Sequence, residues 1–254
     1  MGMVFIDVHC HLELCKSDAA KTVGRARTAG VGIIINNSVN KNSNRKTLEL
    51  ASKFPEVKAA LGYYPIEVIN LNEEEFEDEL AFIRENKNKI VALGEVGLDL
   101  KENQDLEKQK MRFQKFIELS LKLDIPLIVH SRKAEEDCIE ILEKNNARKV
   151  IMHCFSGDFN LIKRIVENNW FLSIPANVTF SEHFQKIVGE VPIGNLFCET
   201  DSPYLHPIKG KYDNEPANVV ESYKKIAEIK GISLEECEKT IEENYKRVFG
   251  VIET

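Results

Sequence analysis

The chain has 254 residues, with 34 Lys and Arg against 41 Asp and Glu, for a formal net charge of −7. With 43% hydrophobic and 30% charged residues, it has the composition of an ordinary folded protein, which excludes a disordered, collagen-like or low-complexity chain. The acidic balance argues against a protein that coats nucleic acid over its whole surface, but not against one pocket that takes a phosphate.

Short β-branched runs alternate with longer amphipathic segments. Strands are predicted over Val4–Val8, Val31–Asn36 and Val57–Gly62. A helix is predicted over Asn72–Asn86, where Phe76, Leu80 and Ile83 form the apolar face; Glu73, Glu74, Glu75, Glu77 and Asp78 form a solvated face, with the first acids favoured by the helix dipole. A fourth strand covers Ile90–Gly94, and the clearest helical pattern covers Gln104–Leu123. Further strands follow at Pro126–His130, Val150–His153, Trp170–Ile174 and Asn195–Glu199. A helix over Ser233–Phe249 follows, opened by Ser233 and Glu236 at capping-box spacing.

Several strands are continuous apolar runs, such as Val31–Ile35 and Ile125–Val129. Such runs are buried on both faces, the mark of a parallel sheet covered by helices. Eight strand–helix units in this length predict a single TIM-type (β/α)8 barrel over residues 1–254, with its active site at the C-terminal ends of the strands. A doubly wound open sheet is the second choice. The six cysteines show no C-x-x-C pair, so a zinc ribbon is not expected. The N-terminal stretch MGMVFIDVHCHLELC does not read as a signal peptide, and no run of apolar residues is long enough for a membrane span. A cytoplasmic protein with reduced thiols and no membrane partner is expected.

Metal-ligating residue types collect where the apolar strands end. His9 and His11 are two apart, so they project from the same side of an extended chain. Glu95 follows the fourth strand, His130 and His153 end the fifth and sixth, and Asp201 follows the eighth. At the strand ends of a barrel, these four histidines and two carboxylates meet in one mouth, and the set suits divalent cations, two of them being the preferred number. A carboxylate such as Glu95 can bridge two ions, and Asp201 can ligate one ion while accepting the proton of an attacking water; Glu95 and Asp201 are therefore the catalytic candidates. Zinc, manganese and magnesium all remain open. Arg132, two residues past His130, can hold a phosphate with its guanidinium fork. Lys209 and Lys211 can steer a nucleic-acid backbone, and His206 can reach a substrate from the same loop.

The blocks Ile6–Leu12, Gly94–Asp99, Ile128–Arg132, His153–Gly157, Glu199–Leu205, Asn214–Pro216 and Asn244–Gly250 together resemble the TatD family of metal-dependent deoxyribonucleases, within the amidohydrolase superfamily. The resemblance covers essentially the whole chain in order. It implies a TIM barrel and phosphodiester hydrolysis, typically by an exonuclease dependent on Mg²⁺, Mn²⁺ or Zn²⁺. It also implies that His9, His11 and Asp201 hold one ion, that His130 and His153 hold the second, and that Glu95 bridges them. One position departs from the family pattern: Gly62-Tyr63-Tyr64-Pro65 places Tyr64 where the family commonly carries a histidine. A tyrosine can bond a phosphate or stack on a base, but it is no proton shuttle at neutral pH.

The leading expectation is a monomeric deoxyribonuclease acting on single-stranded or frayed-end DNA, with RNA as the second substrate. An amide, ester or lactone hydrolase, or an aminoacyl-tRNA deacylase, of the same superfamily is the enzymatic alternative. A non-enzymatic metal-dependent scaffold ranks last, because none of the six ligand positions is lost.

Overall fold

Val, Ile and Ala at successive positions fill both faces of a strand, and the computed structural model, described over residues 4–101 and 105–250, places them so. Among the described residues the strands are β1 (Phe5–Cys10), β2 (Val31–Asn37), β3 (Val57–Leu61), β4 (Ile90–Gly97), β5 (Leu127–His130), β6 (Val150–His153), β7 (Phe171–Pro175) and β8 (Leu196–Glu199). They form one sheet whose hydrogen-bonded order follows the chain from β1 to β8. The helices are α1 (Ala19–Thr28), α2 (Lys41–Lys53), α3 (Pro65–Val68), α4 (Glu73–Glu85), α5 (Leu106–Leu123), α6 (Glu135–Lys144), α7 (Phe159–Glu167), α8 (Glu182–Glu190), α9 (Val219–Lys230) and α10 (Leu234–Phe249). No helix among the described residues is long and apolar enough to cross a membrane.

The predicted elements fall close to the observed ones, with two informative shifts. β1 runs on through His9 to Cys10, and β4 runs on through Glu95 to Gly97. Both extensions carry polar residues that break the apolar run, so the sequence pattern ends the strand too early. The helix predicted from Gln104 begins at Leu106, capped by the Asp105 side chain on Lys108 N; Gln104 itself lies outside the described residues. At α10 the Ser233 side chain accepts from Glu236 N at 3.1 Å. The reciprocated capping box is instead at α4, where Asn72 accepts from Glu75 N and Glu75 accepts from Asn72 N, an arrangement worth about 1 kcal/mol.

The chain packs as two compact units. The first comprises residues 1–36, 50–58 and 171–254. Within it β7 pairs with β8 in unbroken parallel register, and β1 pairs with β2. Its core includes Ile6, Val8, Ile34, Ile35, Phe197 and Tyr223, all buried. The Tyr223 hydroxyl accepts from Ile6 N (3.0 Å) and donates to Ile6 O (3.3 Å), so it fixes α9 onto β1.

The second unit comprises residues 37–49 and 59–170. Within it β3, β4, β5 and β6 pair in parallel. Phe76, Phe113, Phe116 and Ile117 of α4 and α5 are buried, with Phe76 and Phe116 edge to face at 5.8 Å, within the range of about 4.5–7 Å typical of such pairs.

Both units share a register irregularity. Asp7 pairs with Ile34 and Cys10 with Asn36, so β1 spends one residue more than β2 around Val8 and His9. Leu93 pairs with Leu127 and Val96 with Val129, so β4 spends one residue more than β5 around Gly94 and Glu95. An extra residue re-aims a side chain out of the regular alternation. Gly97 then closes β4 against β5 with φ +142, and a Cβ there would lie 2.0 Å from His130 O. Gly97→Ala is expected to lower stability by more than about 3 kcal/mol, the range reached when backbone atoms must separate. Urea unfolding checks it; a midpoint equal to that of the parent would show that the strands can part without cost.

Candidate metal centre

Each unit brings predicted ligands together at its strand ends. In the first unit, a buried carboxylate sets the geometry. Asp7 Oδ1 accepts from His9 N (3.2 Å) and Thr200 N (2.9 Å), while Thr200 Oγ1 lies 2.6 Å from Asp7 Oδ2. Burial pushes the Asp7 carboxyl well above its ordinary pKa despite these bonds. The backbone adds two more ties, from Asp201 N to His9 O and from His11 N to Ser202 O, both 2.9 Å. Asn214 Nδ2 bonds Thr200 O at 2.9 Å and completes the frame. Asp201 itself sits at φ 51, a left-handed conformation that Asp tolerates better than most residues.

This frame points three ligand atoms at one place. His9 Nε2 and His11 Nε2 are 3.2 Å apart, and Asp201 Oδ1 is 3.5 Å from each. Ligands bound at zinc distances of about 2.0–2.1 Å in a tetrahedron stand about 3.3–3.4 Å from one another. Two imidazole nitrogens and a carboxylate oxygen at this spacing therefore fit a divalent cation in both chemistry and size. The rings of His9 and His11 are buried, so the group is held rigidly.

In the second unit, Glu95, His130 and His153 meet. Glu95 Oε1 lies 2.7 Å from His130 Nδ1 and 3.2 Å from His153 Nε2, and the two ring nitrogens are 3.2 Å apart. The extra residue in β4 aims Glu95 at the ends of β5 and β6; Glu95 N is anchored on Ser38 O at 2.8 Å. Again the donor set, two nitrogens and one oxygen, suits a divalent cation.

Sequence reasoning missed the group that holds this cluster in place. Asp99 is buried beyond the end of β4, and its Oδ2 lies 3.1 Å from His130 Nε2. The same oxygen accepts from Arg132 Nε (3.0 Å), from Arg132 Nη2 (2.6 Å) and from the Tyr64 hydroxyl. Arg132 Nη2 also donates to the Tyr64 oxygen at 2.9 Å. Burial alone would raise the Asp99 carboxyl, but the donors from His130, Arg132 and Tyr64 outweigh it and hold the group well below the usual carboxylate range. His130 responds in the opposite direction: burial lowers it, but Asp99 and Glu95 outweigh that and raise it. With Nε2 committed to Asp99, His130 presents Nδ1 to Glu95 and His153, the pattern by which a carboxylate orients a ligating histidine. Tyr64 is raised far above its ordinary value, by burial first and by Asp99 second, so it stays a protonated donor. Asp99 stood within a motif block, but a strand ended at Gly94 leaves it in a loop, and only the longer β4 brings it to His130.

The remaining predicted contacts divide between the units. Tyr64 and Arg132 belong to the Asp99 network. His206, Lys209 and Lys211 lie on the loop after β8, where His206 Nδ1 accepts from Ile208 N at 2.9 Å and both lysines are exposed. Glu199 is buried and accepts from Ser173 Oγ at 2.5 Å. Of the cysteines beside the candidate ligands, Cys10 is buried, whereas Cys154 is half-buried at φ 44. Burial pushes the Cys15 thiol up to about 11, far from a thiolate ligand at neutral pH.

Donor sets of two nitrogens and one oxygen at the ends of parallel strands match the ligand pattern of metal-dependent hydrolases. The TatD-related DNase family model matches residues 6–250. The chain is 34% identical to an uncharacterized metal-dependent hydrolase of Bacillus subtilis, YabD, over 98% of this chain and 100% of that protein. It is 30% identical to human deoxyribonuclease TATDN3, over 98% of this chain and 95% of that one. The crystal structure of YJJV, a TatD homologue from Escherichia coli, superposes with a TM-score of 0.88 at 25% identity, covering 97% of this chain and 98% of that one. The chain belongs to the TatD-related DNase family, has its (β/α)8 barrel fold and is a metal-dependent hydrolase.

Replacing Asp99 with Ala is expected to weaken metal binding at the Glu95–His130–His153 cluster by about 10–100-fold, the usual cost of losing such an orienting group. Calorimetric titration with Zn²⁺ or Mn²⁺ measures it. Affinity equal to that of the parent would count against Asp99 as the positioning residue.

Proposed function

We propose that this protein is a deoxyribonuclease that removes nucleotides from single-stranded or frayed DNA ends, acting as a cytoplasmic, single-domain monomer. The observation that carries the reading is the convergence of His9 Nε2, His11 Nε2 and Asp201 Oδ1 within 3.5 Å of one another on a frame of buried hydrogen bonds. Two divalent cations, Mg²⁺, Mn²⁺ or Zn²⁺, fit the donor sets: His9, His11 and Asp201 would hold one, and Glu95, His130 and His153 the other. Such ions polarise a phosphoryl oxygen and make water easier to deprotonate.

The chain's own residues supply the rest. Asp201, bearing one carboxylate oxygen toward the imidazoles, takes the proton of the attacking water as general base. Arg132, steadied by Asp99, contacts the phosphate, and Tyr64 offers its hydroxyl dipole beside it. Relatives named deoxyribonucleases support DNA over the amide, ester or lactone substrates of the wider superfamily.

The test is cleavage of end-labelled single-stranded DNA with Mg²⁺ or Mn²⁺, then with chelator. Release of short products that stops on chelation is expected. Asp201→Asn is expected to lower turnover by at least about 100-fold, the lower end of what a general base contributes, while thermal melting stays close to that of the parent. Cleavage that persists in chelator, or an Asp201→Asn protein of full activity, would refute the mechanism.

A further inference from the structure

The loop that follows β8 is built, yet it exposes what loops normally hide. Between Pro203 and Asn214 it carries Tyr204, Ile208 and Tyr212, exposed by 55%, 52% and 85%. Leu14, after β1, and Phe180, after β7, are exposed as well. Thus five of the seven exposed large hydrophobic side chains among the described residues follow strand ends of the first unit; the other two, Met111 and Leu121, lie on α5. Chance scatter of surface apolar residues does not produce this concentration, and an apolar patch at one end of a soluble protein marks a contact surface.

The patch is held rather than loose. Asn214 N bonds Pro203 O at 3.0 Å and closes the neck of the loop. Thr179 Oγ1 donates to Pro207 O at 2.5 Å, bringing the segment of Phe180 to the loop. Lys211 N bonds Ile208 O at 3.0 Å, so Ile208 and Tyr212 flank one turn. Tyr204 lies edge-on to His11, with ring centroids 6.5 Å apart, which sets the patch beside the His9–His11–Asp201 group.

Its charge favours one kind of partner. Lys209 and Lys211 stand between the two tyrosines, exposed and in no ion pair among the described residues. Asp213, the one acid between Pro203 and Asn214, is paired with Lys16 Nζ at 3.0 Å. Flat aromatic rings spaced by cations match a polymer that alternates flat rings with anions. We infer that the β8 loop is a docking platform for single-stranded nucleic acid: bases stack on Tyr212 and Tyr204 while Lys209 and Lys211 meet the phosphates between them. A duplex offers no open base faces to such rings, so the platform selects unpaired strands. The inference rests on the DNase reading and names how its substrate is gripped.

Fluorescence anisotropy of a labelled oligo(dT), without added metal so that nothing is cut, measures docking. Hydrolysis of bis(4-nitrophenyl) phosphate with Mn²⁺ measures chemistry on a diester that has no chain of nucleotides to lie along the loop. Tyr212→Ala is expected to weaken oligonucleotide binding about 10-fold, within the range for one lost stacked base, and Tyr212→Phe to bind within about twofold of the parent because the ring face remains. Lys209→Ala with Lys211→Ala is expected to flatten the slope of log affinity against log salt by about 1.4, for two lost phosphate contacts at about 0.7 each. Both Tyr212 variants should hydrolyse the small diester at the parent's rate. Tyr212-dependent docking without any hydrolysis would uphold the platform while refuting the DNase reading. Equal binding by Tyr212→Ala and the parent would overturn the platform and leave the DNase reading standing. A dimer by light scattering that Tyr212→Ala dissolves, with oligonucleotide binding unchanged, would overturn it in favour of self-association.

Discussion

The candidate ligand group of the first unit depends on one buried carboxylate. Asp7 accepts from the backbone on both sides of it, His9 on its own strand and Thr200 nearly the whole chain away. Water cannot replace these bonds, because Asp7 and Thr200 are fully buried. In such a site, a lost partner costs the full desolvation of the one left behind. The register between β1 and the end of β8 is therefore set by polar groups that have no acceptable alternative, and His9, His11 and Asp201 inherit that register. The apolar side chains of β1 and β8 fill space, but the pairing of particular residues comes from Asp7.

The candidate ligand group of the second unit uses a carboxylate differently. Asp99 gathers a phenol, a guanidinium and an imidazole on one oxygen, and its charge is stabilised by those three donors and by the Lys101 N–H on its other oxygen. Its effect is to orient the His130 ring. Tyr64, the departure from the family pattern, takes part as a donor to Asp99, so the substitution keeps the network intact while removing a group that would titrate near neutral pH. In both units, the extra residue in a strand falls where a ligand must leave the regular alternation, at His9 in β1 and at Glu95 in β4.

The strands and the candidate ligands were legible for a shared reason. Buried parallel strands must be apolar throughout, so a His or Glu at their ends stands out against Val and Ile. His9, His11, Glu95, His130, His153 and Asp201 were all visible this way, and the barrel class followed from the count of strand–helix units. What stayed hidden depends on pairing. The extensions of β1 to Cys10 and of β4 to Gly97 are stabilised by neighbouring strands, not by local pattern. Asp99 reads as a loop acid until β4 is long enough to carry it to His130. The exposure of Tyr204 and Tyr212 could not be read at all, since an aromatic residue in a sequence gives no sign of whether the fold will cover it.

The closed neck of the β8 loop has a consequence for how such an enzyme can vary. Asn214 fastens Thr200 and meets Pro203 across the base of the loop, so strain or added length inside the loop stops at the neck. Asp201 lies on the protected side. Apart from Tyr204, whose N–H bonds Asp201 O at 2.8 Å, the proposed docking surface is thus separated mechanically from the candidate cation-holding residues, although only a few residues lie between them in sequence. Loop residues beyond Tyr204 can lengthen or be exchanged as a cassette while the candidate ligand residues keep their places.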